Sequence, residues 1–314
     1  MKIIFVTYHM GTQGSYLNHL DLQQYLKDVE GHSIKFYCSN VKHLFNVIEN
    51  SRRKYTFKKG EIKILREDIF DLDATVITDF KTLIALSKFK INVICNKILI
   101  MDSVELSYHL KGMKHARFYY DGDIRTHLRG IYASEIVFLM PPNNIKLFST
   151  KYQELNCRPF FKHINIDMLN TIECKNLDGY FYRWDVEDND REIKDKFGNE
   201  CYSFHPSWTT NKAGVKVPLN YTESEHLFDY KNLIYRRRSY LAYEEQFGRL
   251  IFEYILLGKT VYFLNEKHTE DGLSDYLTHF DIRFCVKKIT TTREELTEKM
   301  KVYTDKPWEA GCHQ

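Results

Sequence analysis

The sequence predicts an α/β protein of two successive domains, each a parallel sheet with helices on both faces. Three observations carry this. Apolar strands alternate with helical segments along both halves of the chain. The segment Pro159 to Asp167 lies midway, and the alternation resumes after it. Near the C-terminus, Glu245 to Leu264 runs as loop, helix, glycine and strand, which is half of a βαβ unit. The expected domains are residues 1–163 and 164–314, and 314 residues suffice for each to bury a core.

Taken in order, Ile3 to Tyr8 is an unbroken apolar run ending in polar residues, as in a strand buried on both faces. His9 to Ser15 is a turn carrying Gly11 and Gly14. Tyr16 to Val29 places Leu17, Leu20, Leu22 and Leu26 at helical intervals and meets Gly31 just beyond. Ser33 to Cys38 is a second strand and Val41 to Glu49 a helix. Ala74 to Thr78 and Lys97 to Met101 are strands, with a helix over Lys81 to Ser87 between them. Gly122 to Tyr132 is read as helical, and Glu135 to Met140 as the next strand. In the second half, strands are expected at Leu177 to Trp184, Glu200 to Phe204, Asn232 to Tyr235, Thr260 to Leu264 and Arg283 to Lys287. Helices are expected at Asp188 to Phe197, Glu244 to Leu257 and Thr291 to Lys301. The stretch Pro206 to Glu225 has Pro, Gly and Asn but little periodicity, and is read as a mobile loop.

Composition narrows the classes. A hydrophobic share of 43% argues for a globular chain, and a net charge of +3 permits an anionic partner without demanding one. The 22 Tyr and 21 Phe fit thick packed cores; stacking on bases or sugars is the rarer use. None of the seven cysteines forms a C-x-x-C pair, which argues against structural zinc and for a reducing compartment. The apolar start is too short for a signal peptide, and no window approaches the roughly 18 apolar residues of a membrane span. The expectation is a soluble cytoplasmic protein.

The densest chemistry is in Glu245 to Glu253. Its two carboxylates stand eight positions apart, about two helical turns, on nearly one face. Phe247 and Gly248 lie near the helix start, where backbone N–H groups point outward at an anion. Glu245 as a cap and Glu253 as a solvated charge are the plain alternatives. Arg236, Arg237 and Arg238 lie between a strand and this helix, and arginine suits bidentate phosphate contact; a solvated cluster is the competing reading. Arg183 ends the preceding strand of that half. Asp102 stands at the carboxyl end of an apolar strand, placed either to orient or deprotonate an acceptor hydroxyl or to cap the next turn.

The spacing and the Phe-Gly insert resemble the E-x7-E signature of retaining GT-B glycosyltransferases, matching at Glu245, Phe247, Gly248, Glu253, Gly258 and Val261. Tyr254 stands where the family has Ala, and Thr260 where it has Pro. The resemblance implies a GT-B fold of two Rossmann-like domains, with a cleft that takes a nucleotide sugar such as a UDP-sugar. It implies ribose binding by Glu253, donor-sugar binding by Glu245, and diphosphate contact from Arg236, Arg237 or Arg183. The family's Arg-x4-Lys pair is not reproduced, since Asp188 follows Arg183 at that interval. Gly11 and Gly14 would let backbone approach the donor, or make a plain tight turn. No divalent metal is implied.

Met1 to Cys38, the strand into Asp102, and Leu250 to Leu264 further resemble the retaining DNA glucosyltransferases of T-even phages. That resemblance implies duplex DNA bearing 5-hydroxymethylcytosine as acceptor. DNA contact calls for basic residues with aromatics between them. The runs that fit are Arg52, Arg53 and Lys54 with Lys58 and Lys59, and Lys114, Arg117 and Arg125 with Tyr119, Tyr120 and Asp121. Asp121 as a helix N-cap, and either basic run as a solvated surface, are the alternatives. The same chemistry on a polysaccharide or lipid-linked sugar is a rival function. A non-catalytic sugar-nucleotide or DNA-binding protein is another. The family reading predicts that Glu245→Ala lowers the rate of glycosyl transfer, measured as product formed per enzyme at saturating donor.

Overall fold

A computed structural model describes residues 1–8, 13–103, 106, 109–110, 123–160, 163–183, 201–204, 208–210, 216–218, 226–237, 249–265, 280–283, 286–303 and 306–308. The chain forms two compact units. The first comprises Met1–Asn46, Tyr55–Asn165 and Met300–Gln314; the second comprises Val47–Lys54 and Ile166–Lys299. The main boundary therefore lies between residues 165 and 166. A single cut cannot describe the units, because a short segment near residue 50 and the C-terminal stretch each belong to the unit distant in sequence.

In the first unit, β1 (Lys2–Thr7), β2 (Ser33–Cys38), β3 (Ile62–Ile64), β4 (Ile69–Asp79), β5 (Val93–Met101), β6 (Ile131–Met140) and β7 (Asn156–Pro159) form one sheet. Its order is β3-β2-β1-β4-β5-β6-β7, and every pairing is parallel. The winding reverses between β1 and β4. Among the described residues, five helices connect the strands: α1 (Gln13–Asp28), α2 (Val41–Asn50), α3 (Phe80–Phe89), α4 (Ile124–His127) and α5 (Pro142–Lys151). Five of the six residues of β1 are buried, as its unbroken apolar run requires. α3 starts where the Asp79 side chain accepts from Thr82 N, and it buries Phe80, Leu83 and Leu86. Each such burial contributes about 1.5–3 kcal/mol.

Two expectations change here. Gly14 lies inside α1, which begins at Gln13 rather than after the glycine turn. The helix expected over Gly122 to Tyr132 is only the four residues of α4. From Ile131 the chain is already strand, and Ile131 and Tyr132 pair with Val93 and Ile94 of β5. The β-branched and aromatic residues of β6 gain more from a central sheet position than from a helix.

In the second unit, β8 (Leu177–Arg183), β9 (Cys201–Phe204), β12 (Tyr230–Arg237) and β13 (Thr260–Asn265) pair in parallel in the order β9-β8-β12-β13. β15 (Val286–Ile289) and β14 (Phe280–Arg283) extend the β13 edge antiparallel. The single strand expected over Arg283 to Lys287 is thus two antiparallel strands. The expected mobile loop holds a two-stranded ribbon, β10 (Trp208–Thr210) with β11 (Lys216–Pro218). The helix expected over Asp188 to Phe197 lies outside the described residues. α6 (Ile166–Asn170) opens the unit and α8 (Arg293–Tyr303) leaves it.

α7 (Arg249–Leu256) is buried at all eight positions, so it is a core helix rather than an amphipathic surface one. It ends in a Schellman arrangement. Gly258 N donates to Ile255 O at 2.9 Å and Lys259 N donates to Tyr254 O at 2.9 Å. Gly258 has φ +70°, and a Cβ built on it would meet no atom within 4 Å. Gly258→Ala therefore meets backbone strain alone. It is expected to cost about 1–2 kcal/mol and to lower the thermal midpoint by a few degrees, read by scanning calorimetry.

Candidate functional site

The second unit carries the most concentrated candidate site. Its winding reverses between β8 and β12, and open α/β sheets bind ligands outside the carboxyl ends of strands at such a reversal. Arg183 is the last residue of β8 and is level with Tyr235 of β12. Arg236 and Arg237 end β12, level with Leu264 and Asn265 of β13. Three guanidinium-bearing residues thus sit on one sheet edge, on adjoining strands.

In the helix between β12 and β13, Glu253 of α7 is completely buried. Its Oε1 accepts from Arg249 Nε at 2.7 Å, one helical turn back. It also accepts from Arg53 Nη2, which is equally buried. Two guanidinium groups therefore converge on one carboxylate oxygen. Glu253 Oε2 is buried and finds no hydrogen-bond partner among the described residues. A buried acceptor left open is uncommon and calls for an explanation such as a ligand donor. Tyr254, where the family has Ala, is packed on Phe228 and Phe181, with ring centroids 5.4 and 6.5 Å away. Burial raises the pKa of its phenol.

Arg53 reaches Glu253 because residues 47–54 belong to this unit. Arg52 holds the turn at φ 57°, and its guanidinium donates to the carbonyls of Leu227 and Glu173 beside Asp229. Burial raises the Asp229 pKa. The hydrogen bond and charge of Lys175 at 3.1 Å, with the charge of Arg52, outweigh that and leave it below the ordinary carboxylate value. Arg52 and Arg53 were expected to meet DNA. Both instead satisfy internal acceptors, because a guanidinium drawn out of water must be paired. Lys54, Lys58 and Lys59 are exposed.

In the first unit, Asp102 follows the carboxyl end of β5. Its N donates to Leu139 O at 2.7 Å, and its Oδ2 accepts from Asn144 Nδ2 at 2.7 Å. The carboxylate is thus anchored to the first turn of α5. The same sheet edge carries Asp79, with His19 Nε2 of α1 at 3.7 Å from its Oδ2 in a fully buried pair. Thr82 Oγ1 accepts from Tyr8 N at 2.9 Å and donates to Asp79 Oδ2 at 3.2 Å. Arg125 stands elsewhere. It precedes β6, at the amino edge of the sheet, and pairs with Asp123 and Glu154 at 2.8 and 2.6 Å. Its guanidinium lies 5.1 Å from the centre of the Tyr152 ring.

Glu245, Phe247, Gly248, Gly11, Lys114, Arg117, Tyr119, Tyr120 and Asp121 lie outside the described residues. Sequence reading missed Arg249, Asn144, the His19–Asp79 pair and the pairing of Arg53 with Glu253. An i,i+4 interval relates Arg249 to Glu253, and Asp79 stands where an N-cap belongs, so those two carried a local signal. Arg53 and His19 carried none. Among the described residues no group of three or more His, Cys, Asp or Glu could hold a metal ion, and no helix is long and apolar enough to cross a membrane.

No known protein family matches the chain, and comparison with curated proteins finds no match.

Removing one partner of a buried ion pair strands the other charge. Arg53→Ala is expected to destabilise the protein by about 3–5 kcal/mol, measured by urea unfolding. Lys54→Ala, at an exposed position, should stay within about 0.5 kcal/mol of the parent.

Proposed function

We propose that this chain is a retaining glycosyltransferase of the GT-B type, moving a sugar from a nucleotide-sugar donor, most simply a UDP-sugar, to a hydroxyl acceptor. The observation that carries the proposal is the buried Glu253 carboxylate with Oε2 unpartnered, in the helix after the switch-point strand. A ribose hydroxyl is a donor of the kind that oxygen lacks. Arg183, Arg236 and Arg237 supply charge for the diphosphate, whose leaving negative charge must be neutralised as the glycosidic bond breaks. Glu245 holds the donor sugar, and backbone N–H groups at Phe247 and Gly248 face the phosphates, as in the family the motif resembles. Asp102, held by Asn144, orients or deprotonates the acceptor hydroxyl.

The acceptor in this reading is 5-hydroxymethylcytosine in duplex phage DNA, turned out of the helix so that its hydroxyl enters a pocket. This follows the resemblance in Met1 to Cys38 and around Asp102, and the enzyme would then act in the host cytoplasm.

A panel of nucleotide sugars incubated with hydroxymethylated and plain duplex DNA tests the proposal, read by the mass of the digested nucleosides. The expected result is one added sugar on hydroxymethylcytosine alone. No transfer from any donor to DNA, polysaccharide or lipid-linked acceptors would overturn it. Arg236→Ala or Arg237→Ala should slow transfer by about 10- to 100-fold, the worth of one hydrogen bond to a charged group. Wild-type kinetics in both would place the phosphate contact elsewhere.

A further inference from the structure

The first unit contains a cleft of about 640 Å³ lined by Lys27, Lys35, Lys58 and Lys59 against a single carboxylate, Glu61. His32 and Gly60 also line it. Glu61 Oε2 accepts from Lys27 Nζ at 2.8 Å and from Lys58 N at 2.6 Å. Burial raises its pKa, but these bonds and the charges of Lys27 and Lys58 outweigh that and hold it low. It is therefore a fixed anion already matched by Lys27. Glu30, behind His32, lies 2.9 Å from His32 Nε2 and is paired with Lys306 at 3.4 Å. Lys35, Lys58 and Lys59 are left as an excess of positive charge around one concavity. Gly60, at φ +87°, turns the chain there without a side chain to fill it.

We infer that this cleft is a binding site for the phosphodiester backbone of nucleic acid, separate from the ligand edge of the same sheet. Like charges gathered in a concave wall focus the field on a polyanion. Among the described residues the lining holds four lysines and no arginine, tyrosine, phenylalanine or tryptophan. Lysine acts as a point charge without bidentate geometry, and base stacking needs aromatic platforms. The surface is therefore built for sequence-independent backbone contact. Its place supports a separate role. Ser33 and Lys35 open β2, so the cleft sits at the amino edge of the sheet, whereas Asp79 and Asp102 sit at the carboxyl edge. The length of a strand, about 20 Å, separates the two edges. The contact thus extends what was expected of Lys58 and Lys59, and adds Lys35.

The test is fluorescence anisotropy of a short unmodified DNA duplex against the full-length protein, between about 50 and 200 mM salt. The triple variant Lys35→Ala, Lys58→Ala, Lys59→Ala leaves Lys27 to hold Glu61. It should reduce the slope of log affinity against log salt by about 3, with an unchanged melting midpoint. The matching triple Lys→Arg variant should keep the parental slope. A parental slope in the alanine variant, or no duplex binding by the parent, overturns the inference. So does binding to phosphatidylserine vesicles in place of DNA. Lysine-dependent duplex binding without any sugar transfer would support this site while ending the transferase reading. Transfer to DNA with a slope indifferent to these lysines would do the reverse.

Discussion

The second unit depends on a single carboxylate. Glu253 is buried in a helix that has no exposed face, and it is the shared counter-charge of Arg249 and Arg53. A charge taken into the interior costs several kcal/mol unless it is paired. None of the three residues can leave without stranding the others. Through Arg53 the pairing draws residues 47–54 into the core of a unit whose remaining chain begins at Ile166. Arg52 reinforces it by tying that segment to the carbonyls of Leu227 and Glu173. The helix that follows the switch-point strand is thereby fixed by charge as well as by apolar packing, the combination that pre-organises a site.

The two sheets carry opposite chemistry on equivalent edges. Both reverse their winding, the first between β1 and β4 and the second between β8 and β12. At the carboxyl edge of the first sheet stand Asp79 and Asp102, each held by a hydrogen-bond partner. At that of the second stand Arg183, Arg236 and Arg237. Acids suit proton acceptance from a hydroxyl, and guanidinium groups suit phosphate. Sheet topology explains why each set collects at an edge, because strand ends there leave backbone and side chains without neighbours.

The basic residues divide by environment rather than by proximity in sequence. Arg52, Arg53 and Lys54 are consecutive, yet the first two serve internal acceptors and the third is exposed. Arg125 stacks on Tyr152 between two carboxylates and is part of a surface network. Of the lysines around Glu61, Lys27 pairs with it, and Lys35, Lys58 and Lys59 leave an excess of positive charge at the cleft. A charge run in a sequence is therefore a supply of cations, and burial decides which of them remain for a partner.

Local pattern was enough for much of the fold. The unbroken apolar run of β1, the alternation of strands and helices, and the glycine that ends α7 were all legible, because each depends on neighbours within a turn or a strand. The Arg249–Glu253 interval was legible for the same reason. Other features depended on partners far along the chain. Arg53 meets Glu253 across 200 residues, and His19 of α1 pairs with Asp79 at the end of β4. β6 claimed residues with helical promise because β5 offered a ladder, and β10 and β11 formed within a stretch without periodicity. The sequence by itself determined which segments favour strand or helix, since propensity is local. Only the tertiary structure decided which charges are buried in pairs and which face a partner, since pairing and desolvation are settled by neighbours in space.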